Sequence, residues 1–238
     1  MPGDQHHRRL FLAVLLVLMT VPTAAAVAYF VLLEDAPSFV QQIAYGIGKS
    51  VMAAPAIWFL LVERGRMRWS LPHPSDIRDG LVFGIVVFVG MVAIYFGILK
   101  PAGYLDFAAA AIQQKLTGFG LVTTARYVLF AVVISVLHSA LEEYYWRWFV
   151  FGRLRNEIPA GWAAVLASVA FTGHHVVILG RYFGWISPGQ VLFSLGVFVG
   201  GVIWCIMYHR SRSLYGPWIS HTLIDAAIFV VGYDLAIG

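Results

Sequence analysis

Long apolar stretches of similar length alternate with short polar ones along the whole chain. A bilayer core about 30 Å thick takes roughly 20 apolar residues for each helical crossing. Windows of that length fall at residues 10–33, 40–62, 81–99, 127–151, 162–179, 191–208 and 217–231. No stretch shows the period-two alternation of a barrel strand, and in lipid only helices or closed barrels satisfy every backbone polar group. The pattern therefore predicts an all-α fold, a polytopic transmembrane helical bundle of about seven spans.

Composition agrees with that picture. Of the 238 residues 60% are hydrophobic and 12% charged, too little polar surface to coat a soluble globule. The single Cys205 leaves no disulfide framework and no cysteine-built metal site within one chain. A net charge of +4 raises the question of nucleic acid, but the cations form no stripe; they alternate between loops. Arg8, Arg9, Arg64, Arg66, Arg68, Arg78, Arg153, Arg155, Arg210 and Arg212 fall on one side, against Lys100, Lys115, Arg126 and Arg181 on the other. By the positive-inside rule the N-terminus is cytoplasmic and the C-terminus outside, with no nucleic acid as partner.

The first apolar run also reads as a signal peptide, since His6, His7, Arg8 and Arg9 precede it and Thr23 to Ala26 resemble a cleavage site. Its removal would leave six spans; its continuation to Leu33 favours a retained span. No internal repeat or soluble domain interrupts residues 1–238, which read as one integral membrane domain. Within the connection 100–126, residues 104–116 place Leu105, Ala109 and Ile112 opposite Gln113, Gln114 and Lys115. That segment reads either as a short interfacial helix or as a loop helix packed on the bundle. The eight tryptophans mostly fall near span ends and read as belt anchors at the interface.

Ionisable groups at bilayer depth cost about 2.5–3.5 kcal/mol each on insertion scales, so they need a reason. Here they gather late: His138, Glu142, Glu143 and Arg147 in the fourth window, His174 and His175 in the fifth, His221 and Asp225 in the seventh. The first three windows have only Lys49 and Glu34 in or near them. Residues four apart share a helix face while adjacent ones diverge by about 100°. Glu142 can thus pair with His138, Glu143 with Arg147, and Asp225 can orient His221, leaving the two glutamates in different environments. Taken singly, a buried Glu–Arg pair is most often structural and a membrane histidine most often a satisfied interhelical bond. Three helices that each carry such groups would bury them unpaired unless they converge, which points to one shared functional site.

The spacing is also recognisable. Glu142-Glu143-Tyr144-Tyr145-Trp146-Arg147 has the form Glu-Glu-x-x-x-Arg, Phe171 to His175 the form Phe-x-x-x-His, and His221 to Asp225 the form His-x-x-x-Asn/Asp. In this order on successive apolar helices they resemble the CAAX-protease and bacteriocin-processing family of glutamic-type intramembrane proteases, over roughly residues 127–231. The resemblance implies an endopeptidase acting on a membrane-associated protein or peptide in the bilayer, in a multi-pass protein expected in a bacterial inner membrane. It makes Glu142 the general base, His175 its partner in positioning water, His221 with Asp225 the oxyanion side, and Arg147 the partner of Glu143; His138 supports Glu142. Asp225 stands where several members have Asn, whose amide could donate to an oxyanion; an ionised Asp cannot. Asp225 is therefore expected to hold His221 in the donating tautomer. No cofactor is expected. Zinc on Glu142, His175 and His221 is the alternative, although no His-Glu-x-x-His pairing is present. A non-enzymatic reading, a proton-coupled transporter or an immunity-type binding protein, would keep the same buried groups; the missing internal repeat speaks against the transporter.

Overall fold

The computed structural model describes residues 2–64 and 71–237, with side chains from Arg8 onward apart from Ser38. Arg66, Arg68 and Trp69 lie outside this set. Among the described residues the regular structure is helical, and seven helices are long and apolar enough to cross a membrane. They are span one (Arg8–Leu32), two (Phe39–Leu61), three (Pro74–Leu99), four (Thr124–Leu154), five (Ala160–Phe183), six (Pro188–Ser211) and seven (Tyr215–Ala236). Most reach past the apolar windows, because a helix continues into polar residues that can cap it. Span three begins at Pro74 because His73 and Asp76 form a capping box: the Asp76 carboxylate accepts the His73 backbone N–H while the His73 ring accepts that of Ser75. In span two a short 3-10 turn, Val51–Ala53, precedes Pro55, whose ring and missing N–H would break a continuous α-ladder.

The chain packs as two compact units, residues 1–68 with 145–209, and residues 69–144 with 210–238. In the first, spans one and five lie close: a Cβ on Gly173 would stand 2.6 Å from Thr23 Oγ1. The buried Tyr145 hydroxyl donates to the Leu18 carbonyl at 2.6 Å, so span one is built into this unit. Ion pairs join polar ends that the alternation of spans assigns to the same side: Arg8 with Glu157 and Arg153 with Glu63, each at 2.6 Å, and at the opposite ends Arg181 with Glu34. Gly184, at φ +82, ends span five in a conformation that favours glycine.

In the second unit span three runs along span seven through small residues. A Cβ on Gly80 would stand 2.6 Å from the Gly216 carbonyl oxygen, and one on Gly84 2.9 Å from Ser220 Cα. Glycines four apart let two backbones approach this closely, the usual device where lipid supplies no hydrophobic drive for association. At their other ends Tyr95 donates to Asp234 and Lys100 pairs with it, both at 2.7 Å. Span four joins span seven through the Tyr127 hydroxyl, which donates to the Phe229 carbonyl at 2.8 Å. The loop helix, Asp106–Gly118, lies against span seven with Leu105 and Ala108 buried, which is the packed alternative of the two that its sequence allows. Burial there holds the Lys115 ammonium below its ordinary range, since desolvation disfavours its charge. Outward faces carry Val82, Val86, Leu129 and Leu192 exposed, as lipid-facing surfaces do.

Candidate active site

Span four is not one uniform helix. It runs α over Thr124–Val133, π over Ile134–His138, α over Ser139–Glu143 and π again over Tyr144–Phe151. The two adjacent glutamates sit at the end of the short α segment, with Glu142 3% and Glu143 0% exposed. Inserted π turns are frequent at functional sites, and nothing in the apolar pattern announces them.

Within the second unit Glu142, Glu143 and Asp225 gather about the His221 imidazole, and His138 reaches Glu142. Glu142 Oε1 lies 3.2 Å from His138 Nε2, and its other oxygen 3.7 Å from His221 Nε2. Glu143 Oε1 lies 2.7 Å from His221 Nδ1, and Asp225 Oδ1 is 3.6 Å from His221 Nε2. A carboxylate only accepts, so His221 donates through Nδ1–H to Glu143. This differs in two ways from what spacing alone suggests. The hydrogen-bonded partner of His221 is Glu143 on span four, while Asp225, one turn along its own helix, stands beyond hydrogen-bond distance from the ring. Moreover, Glu142 and Glu143 share an environment, because the ring presents nitrogens on two edges and side chains that diverge along the helix can bracket it.

The first unit holds the rest of the motif residues. Arg147 is 1% exposed, its guanidinium 4.5 Å from the Phe171 ring centroid and 4.7 Å from that of Trp204. His174 is buried and stacks on Trp146 at 6.1 Å with ring planes 8° apart. His175 is only half-buried, and its Nδ1–H donates to the Phe171 carbonyl at 3.2 Å, a tautomer that puts the lone pair of a base or ligand atom on Nε2. The belt reading of the tryptophans fails for Trp146 and Trp204, which are 1% and 4% exposed and pack around His174 and Arg147; Trp162 and Trp185 are exposed, as belt residues should be.

Three residues outside the charged and imidazole positions of the motifs join the site. Ser139 Oγ meets Thr222 Oγ1 at 3.0 Å, and the Trp218 indole N–H donates to the Val136 carbonyl at 2.8 Å. Thr222 has one sequence signal, its place beside His221; the partner of Trp218 has none.

A family model described as Rce1-like, type II CAAX prenyl endopeptidase Rce1-like, matches residues 124–227. Neither a curated protein nor a solved structure matches the chain.

Proposed function

We propose, from the premise that this chain belongs through residues 124–227 to the CAAX-protease and bacteriocin-processing family, that it is an intramembrane endopeptidase in which Glu142 activates water against a peptide bond of a membrane-associated protein or peptide. The observation that carries this reading is the buried Glu142 carboxylate held between two imidazoles, His138 at 3.2 Å and His221 at 3.7 Å. Glu142 takes a proton from water as the water oxygen forms its bond to the scissile carbonyl carbon. The carbonyl π pair moves onto oxygen, and His221 in its imidazolium form, which keeps Nδ1–H on Glu143 and carries a second N–H on Nε2, stabilises the resulting oxyanion. As the C–N bond breaks, the proton held on Glu142 passes to the leaving nitrogen. Glu143, bonded to Nδ1–H at 2.7 Å, keeps the other edge of His221 turned to the reaction. His175 is assigned to positioning the water on the strength of its motif and of its Nδ1–H bond, which makes Nε2 the accepting nitrogen.

The reading is tested with purified full-length protein in lipid nanodiscs and a library of membrane-anchored peptides, some prenylated. Wild type should cleave at least one sequence and Glu142→Gln none; equal cleavage by both would refute the role of Glu142. Zinc on Glu142, His175 and His221 is the competing account, in which the ion would polarise the carbonyl and activate the water. A strong chelator should leave cleavage intact; loss restored by added zinc would replace the metal-free reading.

A further inference from the structure

The carboxylates reach His221 only because span four is wound as it is. A π turn takes in one residue more than an α turn, and one residue is worth about 100° of rotation, so the stretch Ile134–His138 sets which way Ser139–Glu143 face. Such a stretch also leaves carbonyl groups out of the regular ladder, and it persists where something from outside the helix satisfies them.

At Val136 the carbonyl accepts the Ser139 backbone N–H of its own helix and, besides, a donor from span seven. Its carbonyl oxygen accepts the Trp218 Nε1–H at 2.8 Å, from a residue 82 positions away in the chain, and Ser139 Oγ lies 3.2 Å from the same oxygen. Ser139 Oγ in turn meets Thr222 Oγ1 at 3.0 Å. Trp218, His221, Thr222 and Asp225 are spaced three, four and seven apart, one face of one helix. The face that presents the imidazole to the carboxylates thus also grips the irregular turn preceding them.

We propose that Trp218 is a positioning residue: its indole N–H anchors the Val136 carbonyl within the π stretch and so fixes the rotation that brings Glu142 and Glu143 to the two edges of His221. An interfacial tryptophan would spend that N–H on headgroups or water, not on a backbone carbonyl of another span. The effect on cleavage rests on the protease reading; the effect on His221 does not.

The test uses full-length protein in nanodiscs with ¹⁵N-labelled histidine. The strongly bonded Nδ1–H of His221 should give a far-downfield proton signal in the wild type. Trp218→Phe keeps an aromatic ring but removes the donor, and it should move that signal upfield while exposed His209 is unchanged. With a membrane-anchored probe peptide that the wild type cleaves, kcat should fall about tenfold with KM unaltered, the loss of roughly one hydrogen bond of transition-state alignment. Trp162→Phe, on an exposed ring, should alter neither reading. A His221 signal unchanged in Trp218→Phe overturns the proposal. If Trp218→Phe does not fold, deuterium exchange of the wild-type indole N–H groups decides: a Trp218 N–H exchanging far more slowly than that of exposed Trp162 supports the anchor, and equally fast exchange overturns it. If the wild type cleaves no probe, proteolysis fails as a reading and the His221 signal still decides this one.

Discussion

At the scale of single residues, the chemistry rests on which oxygen faces which nitrogen. Glu143 is bonded to a ring nitrogen of His221 and Asp225 is not, so their substitutions should separate. Charge-assisted hydrogen bonds are worth about 1.5–3 kcal/mol, so Glu143→Ala should lower kcat by roughly 10- to 100-fold. Progress curves on a cleaved probe measure this, and a loss below threefold would show that His221 needs no such anchor. Under the proposed mechanism Asp225→Asn should retain activity, since Asn keeps the shape and adds a donor near the proposed oxyanion, whereas Glu142→Ala should lose the factor of about 10²–10⁴ in rate that a general base supplies. If Asp225→Asn is as damaging as Glu142→Ala, the charge at 225 matters. That carboxylates and imidazoles sit inside these spans was legible, because such groups stand out in an apolar window, where each costs so much. Their pairing was not: it depends on the rotation of two helices about their axes, and hydropathy does not record rotation.

At the scale of the element, span three shows how a helix outside the family-matched segment supports the site. Gly80 and Gly84 bring its backbone against Gly216 and Ser220, directly beside His221. A methyl at Gly84 must displace backbone on span seven, an overpacking cost of about 1–3 kcal/mol. A methyl at Gly90 on the same helix meets nothing within 4 Å. Gly84→Ala should therefore lower the thermal midpoint in detergent while Gly90→Ala leaves it level or slightly higher, since glycine is the poorer helix former. Equal midpoints would mean that the two spans separate without cost. The spacing of these glycines is visible in the sequence, but spacing alone names no partner helix. The π-helical stretches of span four had no signature in the apolar pattern; at the first of them the Val136 carbonyl meets the Trp218 indole of span seven.

At the scale of the whole molecule, the seven crossings account for the distribution of charge. Arg8 with Glu157, and Arg153 with Glu63, join segments that the loop cations assign to one side; Glu34 and Arg181 join on the other. The excess of Arg on the first side predicts that it is cytoplasmic. A cytoplasm-active reporter fused after Arg155 should be active and one fused after Lys115 silent; the reverse result would invert the topology.

The number of crossings, their approximate places and the residue types buried within them follow from the sequence alone, because moving about 20 residues into lipid is a sum over neighbours along the chain. The motifs of spans four, five and seven were readable for the same reason, since each lies within a few consecutive residues. Only the tertiary structure decided that Glu143 and not Asp225 holds His221, that Trp204 flanks Arg147 and not the interface, and that Trp218 reaches Val136. Each of these depends on a distance of a few ångströms between residues tens of positions apart, and such distances are set by how helices rotate and approach, which no local pattern contains.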